Sequence, residues 1–201
     1  MKRAVALVAP ILIALTAAPL WAQEKLSLRD ISRALNDLDT VKGAFTQINS
    51  DGSFDKGTIY IKRPGRARFE YEGKNAPLVM VGGGQVAIFD QKSNQGPEQY
   101  PLKRTPLNLI LKRNVNLRAE NMVVGHDFDG TTTSVTAQDP ENPELGNIRL
   151  VFSGPPVELR QWVITNQDGS QTTVILGDTE LGGSLPPALF SIPTEINKRS
   201  N

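Results

Sequence analysis

The reactive side chains of this chain are few. It has one histidine, no cysteine, and 21 carboxylates against 22 lysines and arginines. His126 lies between Gly125 and Asp127. A Ser-His-Asp triad would have to use it, and no Gly-x-Ser-x-Gly elbow occurs to present a serine. Without cysteine, and with a single imidazole, the chain lacks the ligand set of a conventional zinc site. Asp127 and Asp129 could approach calcium, but no Asp-x-Asp-x-Asp-Gly loop with a distant glutamate follows. Glu70 and Glu72 share a strand with Arg66 and Arg68, which reads as a solvated, salted sheet face rather than a glycosidase pair. Gly82-Gly83-Gly84 has no following lysine and leads into a strand, so it reads as a hairpin turn rather than a phosphate cradle. No catalytic group, metal or cofactor is expected.

One charged residue stands apart. In Ile59-Tyr60-Ile61-Lys62-Arg63-Pro64-Gly65 the isoleucines share one face of a strand, and Arg63 continues their register to its rim. A cation aligned with an apolar face is costly unless acceptors meet it. Arg63 is therefore either a latch or ligand contact, or a hairpin-end arginine whose head reaches water.

The elements that would position it follow from periodicity. Ser27 is a plausible N-cap with Asp30 three residues on. Leu28, Ile31, Leu35 and Leu38 then make one stripe of a helix ending near Asp39. The period changes to two over 41–49, 57–63, 66–72, 78–81 and 86–90. Strands resume at 131–138, 147–152, 157–165 and 172–176. Between these sets, Thr105-Pro106 opens a short helix with Leu107, Ile110 and Leu111 on one face, Leu109 widening it, and Lys112 and Arg113 in its last turn. Periodicity alone makes this helix a core plug or a lid, with the plug favoured. The fold class expected is mainly β: nine to eleven short strands in a strongly curved antiparallel sheet, an open, incomplete barrel whose open face the two helices cover.

Residues 1–22 have the layout of a secretory signal peptide, with Lys2 and Arg3 before an apolar run that ends at Leu20-Trp21-Ala22. Cleavage there leaves one domain, 23–201, with 20 basic and 21 acidic residues and a net charge of −1. That balance does not suggest nucleic acid. The absence of cysteine excludes disulfides and a cysteine-borne acyl anchor. A cavity under the helices, lined by Ile59, Ile61, Phe69 and the helix leucines, would take acyl chains, each buried methylene contributing about 0.8 kcal/mol.

The order of these segments carries a resemblance. Phe45-Thr46-Gln47 reads as a Phe-x-Gln motif, and Gly57 with Ile59-Tyr60-Ile61-Lys62-Arg63-Pro64 follows. Then come the aromatic strand Phe69 to Tyr71, Leu78 to Phe89 around its glycine turn, the Thr105-Pro106 helix and the tail Leu189-Phe190-Ser191-Ile192-Pro193. So read, the chain resembles the periplasmic outer-membrane lipoprotein carriers, the LolA family. The resemblance implies a monomeric periplasmic shuttle without enzymatic activity. It would take acylated lipoproteins from an inner-membrane ABC-type releasing complex to an outer-membrane lipoprotein receptor. It implies that Arg63 latches the lid, and that Ile59, Ile61, Phe69, Tyr71, Leu107, Leu109, Ile110 and Leu111 form the acyl-binding cavity and its cover. The alternative cargo is free lipid or glycolipid on the same fold. One departure stands out. Ala67, four residues after Arg63, occupies a position that is often bulky and apolar in the family, which removes contact area there.

Overall fold

The computed structural model describes residues 23–90, 95–119 and 121–200. The candidate signal peptide lies outside them. Eleven strands form one antiparallel sheet: β1 (Thr40–Ile48), β2 (Phe54–Lys62), β3 (Ala67–Tyr71), β4 (Leu78–Gly82), β5 (Gln85–Phe89), β6 (Glu98–Pro101), β7 (Val123–Phe128), β8 (Thr133–Gln138), β9 (Asn147–Ser153), β10 (Glu158–Thr165) and β11 (Gln171–Leu181). Their order across the sheet is β6-β5-β4-β3-β2-β1-β11-β10-β9-β8-β7. The amino-terminal and carboxyl-terminal halves meet at β1 and β11, and the outermost strands β6 and β7 each have one neighbour, so the barrel is incomplete.

Curvature follows from ring positions. Phe69 on β3 and Trp162 on β10 are four strand spacings apart, roughly 19 Å in a flat sheet, yet their ring centroids are 6.4 Å apart. The sheet therefore folds into a trough with large aromatics converging from both walls. A register shift between Gly43 and Phe45 on the β1–β11 ladder adds local bend. Gly57 makes the β2–β3 approach possible. A Cβ there would lie 2.1 Å from the Glu70 carbonyl oxygen and 2.7 Å from the Phe45 ring.

Helix α1 (Leu28–Asp37) begins at Ser27, whose Oγ accepts the Asp30 N–H at 3.2 Å. Its Ile31 and Leu35 are fully buried in the main core, beside Val41, Phe45 and Ile59. The second helix is much shorter than its pattern suggests: α2 spans Asn108–Leu111, after a 3-10 turn at Leu102–Arg104. Thr105 does not cap it. Its Oγ1 donates back to the Leu102 carbonyl at 2.8 Å, closing the preceding turn. Lys112 and Arg113 lie beyond its last turn, Lys112 being the C-cap residue with extended backbone.

A third helix, α3 (Ile192–Ser200), was not expected. It packs Ile192 and Ile196 on the convex face of β4 and β5, against Leu78, Met80, Ala87 and Phe89. This corrects the reading of the charged strand 66–72 as a solvated face. Arg68 is buried beneath α3, with Nη1 3.1 Å from Glu195 and Nε 2.6 Å from Glu70. Arg199 meets Glu195 from the solvent side at 2.8 Å and lies 4.9 Å over the Phe89 ring. Among the described residues no helix is long and apolar enough to cross a membrane.

Candidate lipid cavity and its cover

The inner register of β1, β2 and β3 sets the floor of the trough. Ile59 opposes Phe69 and Gly57 opposes Tyr71, so the side-chain-free Gly57 leaves room for the Phe45 ring. Phe45 then packs edge-to-face on Phe69 at 5.7 Å and on Tyr71 at 5.1 Å. With Trp162, these rings form a continuous apolar ladder, each edge-to-face pair contributing about 0.5–1.5 kcal/mol beyond its burial. At the rim, the Tyr71 hydroxyl donates to Gln47 Oε1 at 2.7 Å, and Gln47 Nε2 donates to Asn49 at 2.7 Å. Burial pushes the Tyr71 phenol up to about 12, so it stays a neutral donor at physiological pH.

Above the floor is a half-open cavity of about 590 Å³. Phe69, Val79, Val86, Ile88, Trp162 and Val174 make its apolar walls, and Pro106 and Leu107 bound it from the α2 side. Its mouth is polar, with Tyr100, Arg104, Asn166 and Gln167. A second cavity of about 280 Å³ lies across α2, between Leu109 and the β8–β9 region at Ala137 and Ile148. Thr105, Pro106 and Leu145 line both, so the segment leading into α2 is a partition between them.

The segment is tethered at its carboxyl end. Arg63 Nη2 donates to the Lys112 carbonyl at 2.6 Å and, at 3.4 Å, to the Arg113 carbonyl. The Gly65 N–H donates to the Leu111 carbonyl at 2.7 Å. The α2 carbonyl end is an electron-rich site that suits a cation. Arg63 is 8% exposed, and its Nε has no hydrogen-bond partner among the described residues. Burial lowers its pKa, and the charge of Asp39 acts against that. The Arg63 N–H itself donates to the Asp39 carbonyl at 2.8 Å. Arg63 is thus a buried guanidinium fixed to the end of α2, not a hairpin arginine with its head in water.

Residues 36–193 match the family described as outer membrane lipoprotein carrier protein LolA. The chain belongs to the LolA family. Among curated relatives, an outer-membrane lipoprotein carrier protein of Pseudomonas aeruginosa strain UCBPP-PA14 is 22% identical over 188 residues, covering 89% of each chain. That of Nitrosomonas europaea is 28% identical over 174 residues, covering 82% of this chain and 83% of its own. Among solved structures, a LolA superfamily protein of N. europaea aligns over 83% of this chain and 98% of its own, at 11% identity and a TM-score of 0.43.

On this LolA-family scaffold the expected cavity residues divide. Phe69, Tyr71 and Leu107 line the larger cavity, and Leu109 lines the smaller one. Ile59, Ile61, Ile110 and Leu111 line neither, being 0%, 5%, 1% and 0% exposed within the core. The helix is therefore plug and cover at once: Ile110 and Leu111 anchor it while Leu107 and Leu109 face the two cavities. Ala67 is fully buried between Ile61 and Val81, within the core and away from both cavities. Wall residues that sequence reasoning did not single out are Val79, Val86, Ile88, Trp162 and Val174. All of them belong to strands recognised in the sequence, and a large aromatic such as Trp162 in an alternating run was the available signal.

Proposed function

We propose that this protein is a periplasmic, monomeric carrier that shelters the acyl chains of lipoproteins in the cavity beside α2, and catalyses no reaction. It receives them from an inner-membrane ABC-type releasing complex and passes them to an outer-membrane receptor. Residues 1–22 direct its export. The observation that carries this reading is the apolar-walled cavity of about 590 Å³ whose cover is tied down by Arg63 through main-chain carbonyls alone. Family membership and the printed names of the relatives support lipoprotein cargo. Such a tether suits a carrier. Opening exchanges buried hydrogen bonds for hydrated ones, at a net cost of about 1.5–3 kcal/mol for a bond from a charged donor. The volume is that of a pocket for one drug-sized ligand, so cargo with several chains requires α2 to yield.

The test is recovery of the exported protein from a bacterial periplasm, followed by mass spectrometry of what accompanies it. Acylated lipoproteins are expected, at lower yield for a variant with the cavity filled. Free lipid as the sole companion would replace this reading with the lipid-carrier alternative.

A further inference from the structure

Beyond the carboxyl end of α2, α1 lies against the segment 114–118. Between them is a groove lined by Arg29, Arg33, Asn36, Asn114, Asn116 and Arg118. Its floor is fixed by side-chain bonds to the main chain. Asn36 Nδ2 donates to the Val115 carbonyl and Asn36 Oδ1 accepts the Val115 N–H, both at 2.9 Å. Ser32 Oγ accepts the Leu117 N–H at 3.1 Å. The Val115 and Leu117 side chains are each 2% exposed and serve as anchors below.

The charge of this groove is one-sided. Arg29 and Arg33 share one carboxylate, Asp30, at 3.9 and 3.5 Å, and their side chains are 69% and 64% exposed. Arg118 has no ion-pair partner among the described residues. Among the described lining residues there are thus three guanidiniums and no carboxylate, and Asp30, which Arg29 and Arg33 share, is also engaged by Ser27 Oγ at 2.5 Å. The protein as a whole is near neutral, so this is local excess. Guanidiniums bind carboxylates in bidentate fashion.

We propose that this groove is a docking site for an acidic, extended segment of a partner protein. A membrane surface fits it less well. Among the described residues none of the exposed large apolar side chains, Phe54, Val124, Ile175 and Leu181, lines the groove, and its arginines flank a cleft rather than a plane. The rigid floor preorganises the site, which lowers the ordering cost of association. The occupant would lie against Asn114, next to Arg113, whose carbonyl is one of the two that Arg63 holds. A partner bound here therefore touches the tether of the cover. This proposal concerns partner docking and stands apart from the nature of the cargo.

The test uses the full chain, a fluorescent decaglutamate peptide and its decaglutamine counterpart, read by anisotropy. The glutamate peptide is expected to bind at least tenfold tighter, with affinity falling steeply as salt rises. Arg33→Gln and Arg118→Gln should each weaken it about two- to fivefold. Arg160→Gln, which removes an arginine from β10, should change nothing. Circular dichroism verifies that each variant is folded. Equal binding of the two peptides, or equal loss with Arg160→Gln, overturns the proposal. Tighter binding to anionic phospholipid vesicles than to the peptide, sensitive to the same two arginines, overturns it in favour of a lipid surface. Lipoproteins recovered with the same preparations read the carrier function independently.

Discussion

Replacing Arg63 by methionine keeps an unbranched apolar stem and removes the guanidinium. Two hydrogen bonds are lost from the end of α2, one short at 2.6 Å and one marginal at 3.4 Å. A hydrogen bond to a charged donor contributes about 1.5–3 kcal/mol. Three features pull the net effect to the low end. The 3.4 Å contact is weak, the Nε of Arg63 is already buried without a partner, and the Gly65 bond to Leu111 remains. The expected cost of about 1.5 kcal/mol falls on the cover alone, about a tenfold rise in its open population. Native-state hydrogen exchange measures this directly. The Leu111 and Lys112 amides should exchange about ten times faster, while amides of β1, β2 and β11 keep their protection. Unchanged exchange at 111–112 would refute the latch. A uniform loss of protection across the sheet would show that Arg63 supports the fold as a whole rather than the cover.

Trp162→Ala should destabilise the protein by about 3–5 kcal/mol, because Trp162 is 1% exposed and closes the aromatic ladder. Denaturant unfolding measures it, and a loss below about 1 kcal/mol would mean that the two walls do not depend on this contact. Ile88→Trp, in a wall that is only partly buried, should fill the larger cavity and reduce co-purified lipid at near-wild-type stability. Retained lipid would place the cargo elsewhere. Glu195 is raised by burial but lowered by its bonds to Arg199 and Arg68, and the lowering wins. Its folded pKa therefore lies below its unfolded value. The stability it contributes is present above the ordinary glutamate pKa of about 4.3 and is lost as pH falls through the folded value. Proteolysis of the tail or exchange of α3 amides should show α3 loosening in acid, with Glu195→Gln removing that pH dependence.

The strands were legible because alternation is local: β1 to β5 and β8 to β10 lie within two or three residues of their expected bounds. β6 and β7 left little trace. Each is an edge strand with one neighbour, and Glu98–Pro101 and Val123–Phe128 bury too few side chains to alternate clearly. β11 continues five residues beyond the expected end at Leu176, through the polar run Gly177–Glu180, held by pairing with β1 rather than by its own pattern. α3 was hidden because its partners Met80 and Phe89 lie on the outer face of strands whose inner face already accounted for their hydrophobicity. The same blindness misplaced Arg68, since no local signal reports a glutamate 127 residues away. Arg63 was visible as a conflict between register and charge, while its acceptors, two carbonyls 49 and 50 residues on, lay beyond any sequence pattern. The short Thr105–Asn114 helix was overread, because an apolar run shows that a segment is buried but not how many turns it completes.

The unjoined margins at β6 and β7 have a mechanical consequence. A sealed barrel can swell only by tearing a seam of ladder hydrogen bonds, whereas this sheet has no seam on that side. Its two flanks can spread by a slight change of twist summed over ten strand-to-strand steps, each too small to break a bond. The girth of the trough can thus vary with the soft coiling of the whole sheet, a freedom separate from the release of α2.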